Sequence, residues 1–225
     1  MNYRLGAFVA LAVLLAAVFV RLGIWQLDRH AQRKRFNTDR AARLASPPAP
    51  FDSVRRLRES WLRQATLDGT PDYSREFVVT GRSRNGSPGV HIVTPVLLAG
   101  NDTAVLVNRG WVYAPDAATV DLSGWRESRT FFGGHTDTLV SIETAPRLKG
   151  RGLRSLTRAG VDTLLPYPFY SLYLIAHDSA PEAPARLSQP ALDGGPHLSY
   201  AIQWFCFAAI AIGGAVIVWL KARRA

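Results

Sequence analysis

The sequence predicts an α+β membrane protein, in which two transmembrane helices flank a small external domain built as an antiparallel β-sheet or partly closed barrel. Three observations carry that expectation. Residues 5–20 form an apolar run that continues beyond Arg21 to Leu27. Residues 198–220 contain no charged side chain. Between the two, short runs rich in β-branched and aromatic residues are separated by Gly, Asn, Asp and Pro, the pattern of strands joined by turns.

The first apolar segment, residues 5–27, reads as a signal anchor. A cleaved signal peptide is the rival, but no small-x-small cleavage site follows the run, and Arg21 can snorkel so that residues 23–25 bring the segment to spanning length. From residue 28 to 43 the composition suits a helix leaving the membrane, and Ser46-Pro47-Pro48-Ala49-Pro50 ends it. Its basic residues suit a solvated or lipid-headgroup face. A short helix is expected over residues 57–67.

Strands are expected over residues 76–80, 90–98 and 104–113, the last two forming a hairpin around Gly100-Asn101-Asp102. Residues 82–88 are too short for a strand of their own. Within 104–113, Arg109 alternates with Val105, Val107 and Trp111, so a cation shares a face with apolar side chains. Such an arginine either snorkels at an edge or meets an acidic or anionic partner. Further strands are expected over 136–144 and 169–177, with a loop at 149–152 and a short helix within 153–165 between them.

Residues 198–220 are 23 in number, and a helix of that length reaches about 34 Å, enough for a bilayer core of about 30 Å. The chain thus divides into a first transmembrane helix (5–27), an external domain (28–196) and a second transmembrane helix (198–220). On the second helix His197, Tyr200, Ala201, Trp204 and Ala208 share one face. That face is either a metal ligand beside aromatic rings or the ordinary aromatic belt of a membrane interface. Ala209 and Gly213 form a small-x-x-x-small pair, expected to pack against the first helix. The cluster Lys221-Ala222-Arg223-Arg224 argues that both termini are cytoplasmic, or on the matrix side, and that the domain lies outside. Arg29, Arg33, Lys34 and Arg35 pull the other way, but the charge rule is weak for long translocated loops.

Five of the 27 basic residues (Arg4, Arg21, Lys221, Arg223, Arg224) flank the apolar segments, so half of the formal net charge of +10 sits at membrane boundaries and not on a basic face for nucleic acid. The only cysteine, Cys206, lies within the second apolar segment, which excludes a disulfide framework and covalent haem attachment. The only methionine is Met1, so the soft sulfur ligands of a copper carrier are missing. There is no nucleophile elbow, phosphate-cradling loop or zinc-protease motif, and His30, His91, His135 and His177 stand singly; the chain is not expected to be an enzyme.

Three blocks resemble the Surfeit locus protein 1 family of cytochrome c oxidase assembly factors. They are Gly23-Ile24-Trp25-Gln26-Leu27-Asp28-Arg29; Val93-Thr94-Pro95 followed by Val105-Leu106-Val107-Asn108-Arg109-Gly110-Trp111-Val112; and His197-Leu198-x-Tyr200-Ala201-x-Gln203-Trp204-Phe205. Tyr73, Arg75 and Gly81 add a weaker match. The resemblance implies an integral protein of the bacterial cytoplasmic membrane or mitochondrial inner membrane that helps mature the haem-copper oxidase of the respiratory chain, as a chaperone for insertion of haem a. It implies a transient haem a site at His197 (iron ligand), Tyr200, Trp204 and Trp25, no copper, and a partner or structural role for Gln26, Arg29, Arg109 and Trp111. The implied partners are oxidase subunits, the haem a synthesis machinery and the lipid bilayer. The alternative is a cofactor-free membrane scaffold that holds oxidase subunits or other assembly partners together.

Overall fold

The computed structural model describes residues 3–115, 120–141 and 152–224. Its contacts divide the chain into two units, one formed by Met1–Ala41 with Ala191–Ala225 and the other by Ala42–Pro190.

The first unit is a helix pair. Helix α1 (Tyr3–Leu44) runs unbroken for 42 residues, so the expected membrane segment and the polar helix after it are one element. A helix of this length reaches about 63 Å, twice a bilayer core. The C-terminal helix of the chain (His197–Arg224) is its partner, and both are long and apolar enough to cross a membrane. Their seam is made of small residues. Ala12 and Ala16 of α1 are buried, as are Ala201, Ala208 and Ala215, spaced by seven on the other helix. In lipid, close backbone approach and van der Waals contact replace the hydrophobic effect as the cause of helix pairing, which explains why alanine occupies the seam. Gly23 extends it, since a Cβ there would stand 2.6 Å from the Phe205 ring. The expected Ala209/Gly213 pair lies elsewhere: Ala209 is exposed and nothing lies within 4 Å of a Cβ built on Gly213. The sequence offers several small-residue pairs on this helix, and the buried alanines together with the ring contacts of Phe19 with Trp204 and Phe207 select the one that faces α1.

The second unit is a mixed sheet. Its strands are β1 (Ala49–Pro50), β2 (Gln64–Asp68), β3 (Thr70–Pro71), β4 (Phe77–Arg84), β5 (Ser87–Leu97), β6 (Ala104–Tyr113), β7 (Phe131–Thr138), β8 (Gly152–Leu153) and β9 (Leu172–Ala176). They lie in the order β1-β2-β7-β9-β6-β5-β4-β8, with β3 paired to β5. Three pairs are parallel: β1 with β2, β4 with β8 and β6 with β9. The expected antiparallel sheet is therefore mixed, and it is not closed, because β1 and β8 at its two ends do not pair. Turn residues announce hairpins but carry no signal for the crossovers that bring β8 parallel to β4 and β9 parallel to β6.

The strand β6 coincides with the expected segment 104–113, and β5 pairs with it as the expected hairpin. Both faces of β6 are covered. Ala104 and Leu106 join Phe77, Val79, Tyr173 and Ile175 in one core, with Val161 of the short helix α3 (Arg158–Asp162). Val105 and Val107 join Val96, Phe132 and Leu174 in another, with Phe51 and Val54 of the short helix α2 (Phe51–Arg55).

Other segments depart from expectation. Strand β4 runs on to Arg84, and residues 82–88 are the tip of the β4–β5 hairpin: Asn85 (φ 51°) and Gly86 (φ 80°) form a turn with both central residues in the left-handed region, which Asn-Gly accommodates. No helix spans residues 57–67; Leu62 takes φ 58° and β2 begins at Gln64. Within 153–165 the helix is confined to α3, where the Thr157 hydroxyl caps the N-terminus by accepting from Gly160 N at 3.1 Å. Strand β7 starts earlier than expected, at Phe131; residues 142–144 of the expected strand and residues 149–151 of the expected loop lie outside the described residues.

Candidate functional site

The first assembly of polar groups belongs to the helix pair. Gln26, His30, Arg33 and Asn37 lie at i, i+4, i+7 and i+11 on α1 and share one face. That face meets the segment entering the C-terminal helix, α4 (His197–Arg224). Asn37 Nδ2 and Arg33 Nε donate to the Asp193 carbonyl at 2.7 and 3.2 Å. Asp193 also accepts through its side chain from the Gly195 amide, closing a turn in which Gly195 holds φ 66°. Pro196 supplies the first carbonyl of the helix, accepting from Tyr200 N at 3.1 Å.

His197 stands at the opening turn of α4 with its Nδ1 2.8 Å from Gln26 Oε1. An amide oxygen can only accept, so Nδ1 carries the proton and Nε2 keeps its lone pair. Gly195 lies beside that nitrogen: a Cβ on it would stand 3.7 Å from Nε2. Tyr200 and Trp25 are exposed, and the Arg29 guanidinium lies 5.6 Å from the centroid of the Trp25 ring. Trp204 is placed differently. It stacks on Phe19 with centroids 5.7 Å apart and meets Phe207 edge-on, so it is a residue of the helix seam. The structure thus joins Gln26 to His197 and Arg29 to Trp25. Arg109 and Trp111 belong to the other unit.

There, Arg109 is the hub of a buried ionic cluster. It has no exposed surface, and its Nε donates to the Thr94 hydroxyl at 2.8 Å, its Nη2 to Glu76 at 2.9 Å, and its Nη1 to Glu127 at 3.3 Å and to the Trp125 carbonyl. Glu76 also takes Arg126 at 2.9 Å, and Glu127 takes Arg129 at 2.8 Å and Arg186 at 2.7 Å. Arg129 reaches Asp178 at 2.5 Å. Of the two expectations for Arg109, the edge is excluded and the acidic partner is found inside the chain. Arg109, Glu76 and Glu127 are desolvated, so each buried carboxylate needs several donors, and the four arginines supply them.

A third polar feature is a histidine pair. His177 Nδ1 is 2.9 Å from the Leu187 carbonyl, and its Nε2 meets His135 Nδ1 with the rings stacked. The carbonyl requires a proton on His177 Nδ1, which makes His177 Nε2 an acceptor and places a second proton on His135 Nδ1. Burial pushes the His135 pKa down to about 4, with its neighbour His177 adding to the shift, and burial lowers His177 as well. Both are neutral imidazoles at neutral pH.

Several of these residues gave no sequence signal. Glu76, Glu127, Asp178 and Arg186 are dispersed acids and bases with no common spacing; the one signal was the cation in the middle of β6, which allowed an acidic partner as one of its two readings. Among the described residues no group of three or more His, Cys, Asp or Glu is arranged to hold a metal ion.

The comparisons with known proteins agree on one relationship. The model of the SURF1 family matches residues 13–209. Uncharacterized SURF1-like proteins of Mycobacterium tuberculosis and Mycobacterium bovis are 27% identical to this chain over 241 aligned positions, covering 96% of it and 86% of the relative.

Proposed function

Because the chain belongs to the SURF1 family, we propose that it is a membrane-anchored assembly factor for a haem-copper oxidase and that it holds haem a in passage to the catalytic subunit. The observation that carries the reading is the pairing of His197 with Gln26. Haem iron commonly takes an axial imidazole, and the nitrogen that binds must have its lone pair free while the other is fixed by a second group. Gln26 fixes Nδ1 in that way, so Nε2 is the nitrogen that would hold the iron.

The residues fit the group in part. His197 would supply an imidazole nitrogen to the iron, beside a glycine that leaves space at Nε2, and the exposed rings of Trp25 and Tyr200 would offer an apolar wall. Arg29 suits a propionate at the wet edge of the bilayer. Trp204 serves the helix seam instead. When bound, haem would supply an iron Lewis acid for one imidazole. The protein's own part is to present an imidazole whose Nδ1–H is fixed by Gln26 and to keep an apolar surface at the boundary of the membrane. With one evident protein ligand, binding suits release better than electron transfer. No catalytic step is assigned to any residue, and the partners in this reading are oxidase subunits and the haem a synthesis machinery, met outside the membrane with both termini cytoplasmic.

The test is spectral. The detergent-purified protein, produced together with haem a synthesis, is expected to carry a Soret band that His197→Ala loses. Equal haem in both, or none in either, would replace this reading with that of a cofactor-free scaffold.

A further inference from the structure

We propose that the cavity of about 390 Å³ beside Trp111, between the β4–β5 hairpin and residues 186–188, is a binding site for a carboxylate. Its lining is Ser83, Arg84, His91, Trp111, Arg186, Leu187 and Ser188, with no acidic side chain among them.

The protonation of His91 follows from its neighbours. The Gly110 amide donates to Asn108 Oδ1 at 3.2 Å, which orients the amide so that Asn108 Nδ2 donates to His91 Nδ1 at 3.3 Å. His91 Nδ1 is thereby an acceptor, and the ring proton sits on Nε2. Burial, aided by Arg82, holds the His91 pKa down at about 4, so the ring is a neutral donor at neutral pH. Trp111 lines the cavity, and its indole Nε1–H, buried beside Gly89, has no acceptor among the described residues, so its resonance reports on the site. Ser83 and Ser188 bring hydroxyls. Arg186 is committed to Glu127 and to the carbonyls of Arg109 and Asp178, so it shapes the cavity without offering a free charge. Arg84 is exposed and makes no ion pair among the described residues.

A cavity of donors with one unpaired guanidinium repels cations and leaves an anion as the ligand that completes it. The charge available balances one negative charge, and the planar fork of Arg84 matches the two oxygens of a carboxylate. The carboxylate can belong to an acidic side chain of a polypeptide or to a haem propionate; both present the same group.

The experiment uses the full chain in detergent with ¹⁵N-labelled indole. Trp111→Phe identifies the Trp111 resonance among the six tryptophans. Sodium acetate is titrated against sodium chloride at constant ionic strength. The Trp111 resonance is expected to shift saturably with acetate and not with chloride, with a midpoint about tenfold weaker in Arg84→Gln, the change that the loss of ~1.4 kcal/mol produces. Arg84 is exposed on a hairpin tip, so that variant folds as the parent does. No saturable shift, or the same midpoint in parent and Arg84→Gln, overturns the proposal. The source is decided by competition: displacement of acetate by haemin but not by its dimethyl ester identifies a propionate, and displacement by a capped Asp-Glu-Asp tripeptide identifies a polypeptide.

Discussion

Replacing Arg109 by Lys keeps the charge at the centre of the ionic cluster and removes its geometry. Arg109 makes four contacts that converge from different directions, on Thr94, Glu76, Glu127 and the Trp125 carbonyl. A lysine ammonium is a single point that reaches at most one carboxylate with good geometry, which leaves a second acid under-satisfied in a site where Glu76 and Glu127 are almost wholly buried. Breaking one side of a buried ion pair costs about 3–5 kcal/mol, and Arg126, Arg129 and Arg186 remain to absorb part of it. Arg109→Lys is therefore expected at the lower end, about 3 kcal/mol, and Arg109→Met at the upper end, about 5 kcal/mol. For a domain of this size each kcal/mol shifts Tm by about 2–4 °C, so the lysine variant melts roughly 6–12 °C lower. The assay is thermal or denaturant unfolding of the purified protein in detergent, followed by circular dichroism of the sheet. A second variant, Glu76→Gln, closes a double-mutant cycle, in which a coupling of at least about 1 kcal/mol is expected between the two sites. If Arg109→Lys melts within 2 °C of the parent while oxidase maturation fails, the cluster is not what holds the sheet and Arg109 acts on a partner.

Three further outcomes follow from particular contacts. Gly23→Leu places carbon where the Phe205 ring lies 2.6 Å from a Cβ, so cross-linking between cysteines introduced on the two helices is expected to fall; unchanged cross-linking would relocate the seam. Gly89→Ala drives a Cβ to 2.3 Å from the Trp111 indole nitrogen and from the Val112 carbonyl, and because the backbone oxygen cannot swing aside a loss of about 3 kcal/mol is expected from urea unfolding. His91 and His135 are held at about 4, below the ordinary 6.5, so the unfolded chain takes up protons that the folded chain refuses. Stability is complete above pH 6.5 and falls as the pH is lowered towards 4; urea midpoints at pH 7.5 and 5.0 measure the fall, which is expected to be shallower in His135→Gln.

How much of this was legible in the sequence depended on how local the cause was. The strand 104–113 and its hairpin with β5 follow from an uninterrupted β-rich run beside a Gly-Asn-Asp turn, signals contained within a few residues. Asn85-Gly86 is as local a signal, yet the polar residues Arg82, Ser83 and Arg84 conceal the strand that leads into it, because this end of β4 is largely exposed and carries no apolar alternation. Strand β2 was concealed by the opposite problem: residues 57–67 contain apolar residues at helical spacing, and pairing with β1 and with β7, far along the chain, makes Gln64–Asp68 a strand. At the candidate site the sequence marked His197 and Gln26 separately. Nothing in it states that side chains 171 positions apart meet, since that depends on the rotation of two helices set by alanine packing.

The two groups of family-matching residues differ in which way they face, and that difference limits what each can do. In Asn108-Arg109-Gly110-Trp111 the asparagine orients His91, the arginine joins two buried glutamates, and the glycine, at φ 133°, leaves room for the Ala185 carbonyl, which stands 2.6 Å from where a Cβ would be. The tryptophan then lies across Gly89, with Ala185 bonded to its backbone on both sides. Each residue is an internal fitting that another residue of the same unit requires, so the motif is accounted for by folding before any partner is invoked. In Trp25-Gln26-Leu27-Asp28-Arg29 the order is reversed. Trp25 and Arg29 are exposed and touch each other, while Gln26 alone turns inward to His197. The exposed indole of Trp25 lies beside the Arg29 guanidinium on the surface of the helix pair, and the Gln26 amide oxygen fixes a proton on His197 Nδ1. Folding thus accounts for the first motif, whereas Trp25 and Arg29 of the second stay exposed at the surface of the helix pair.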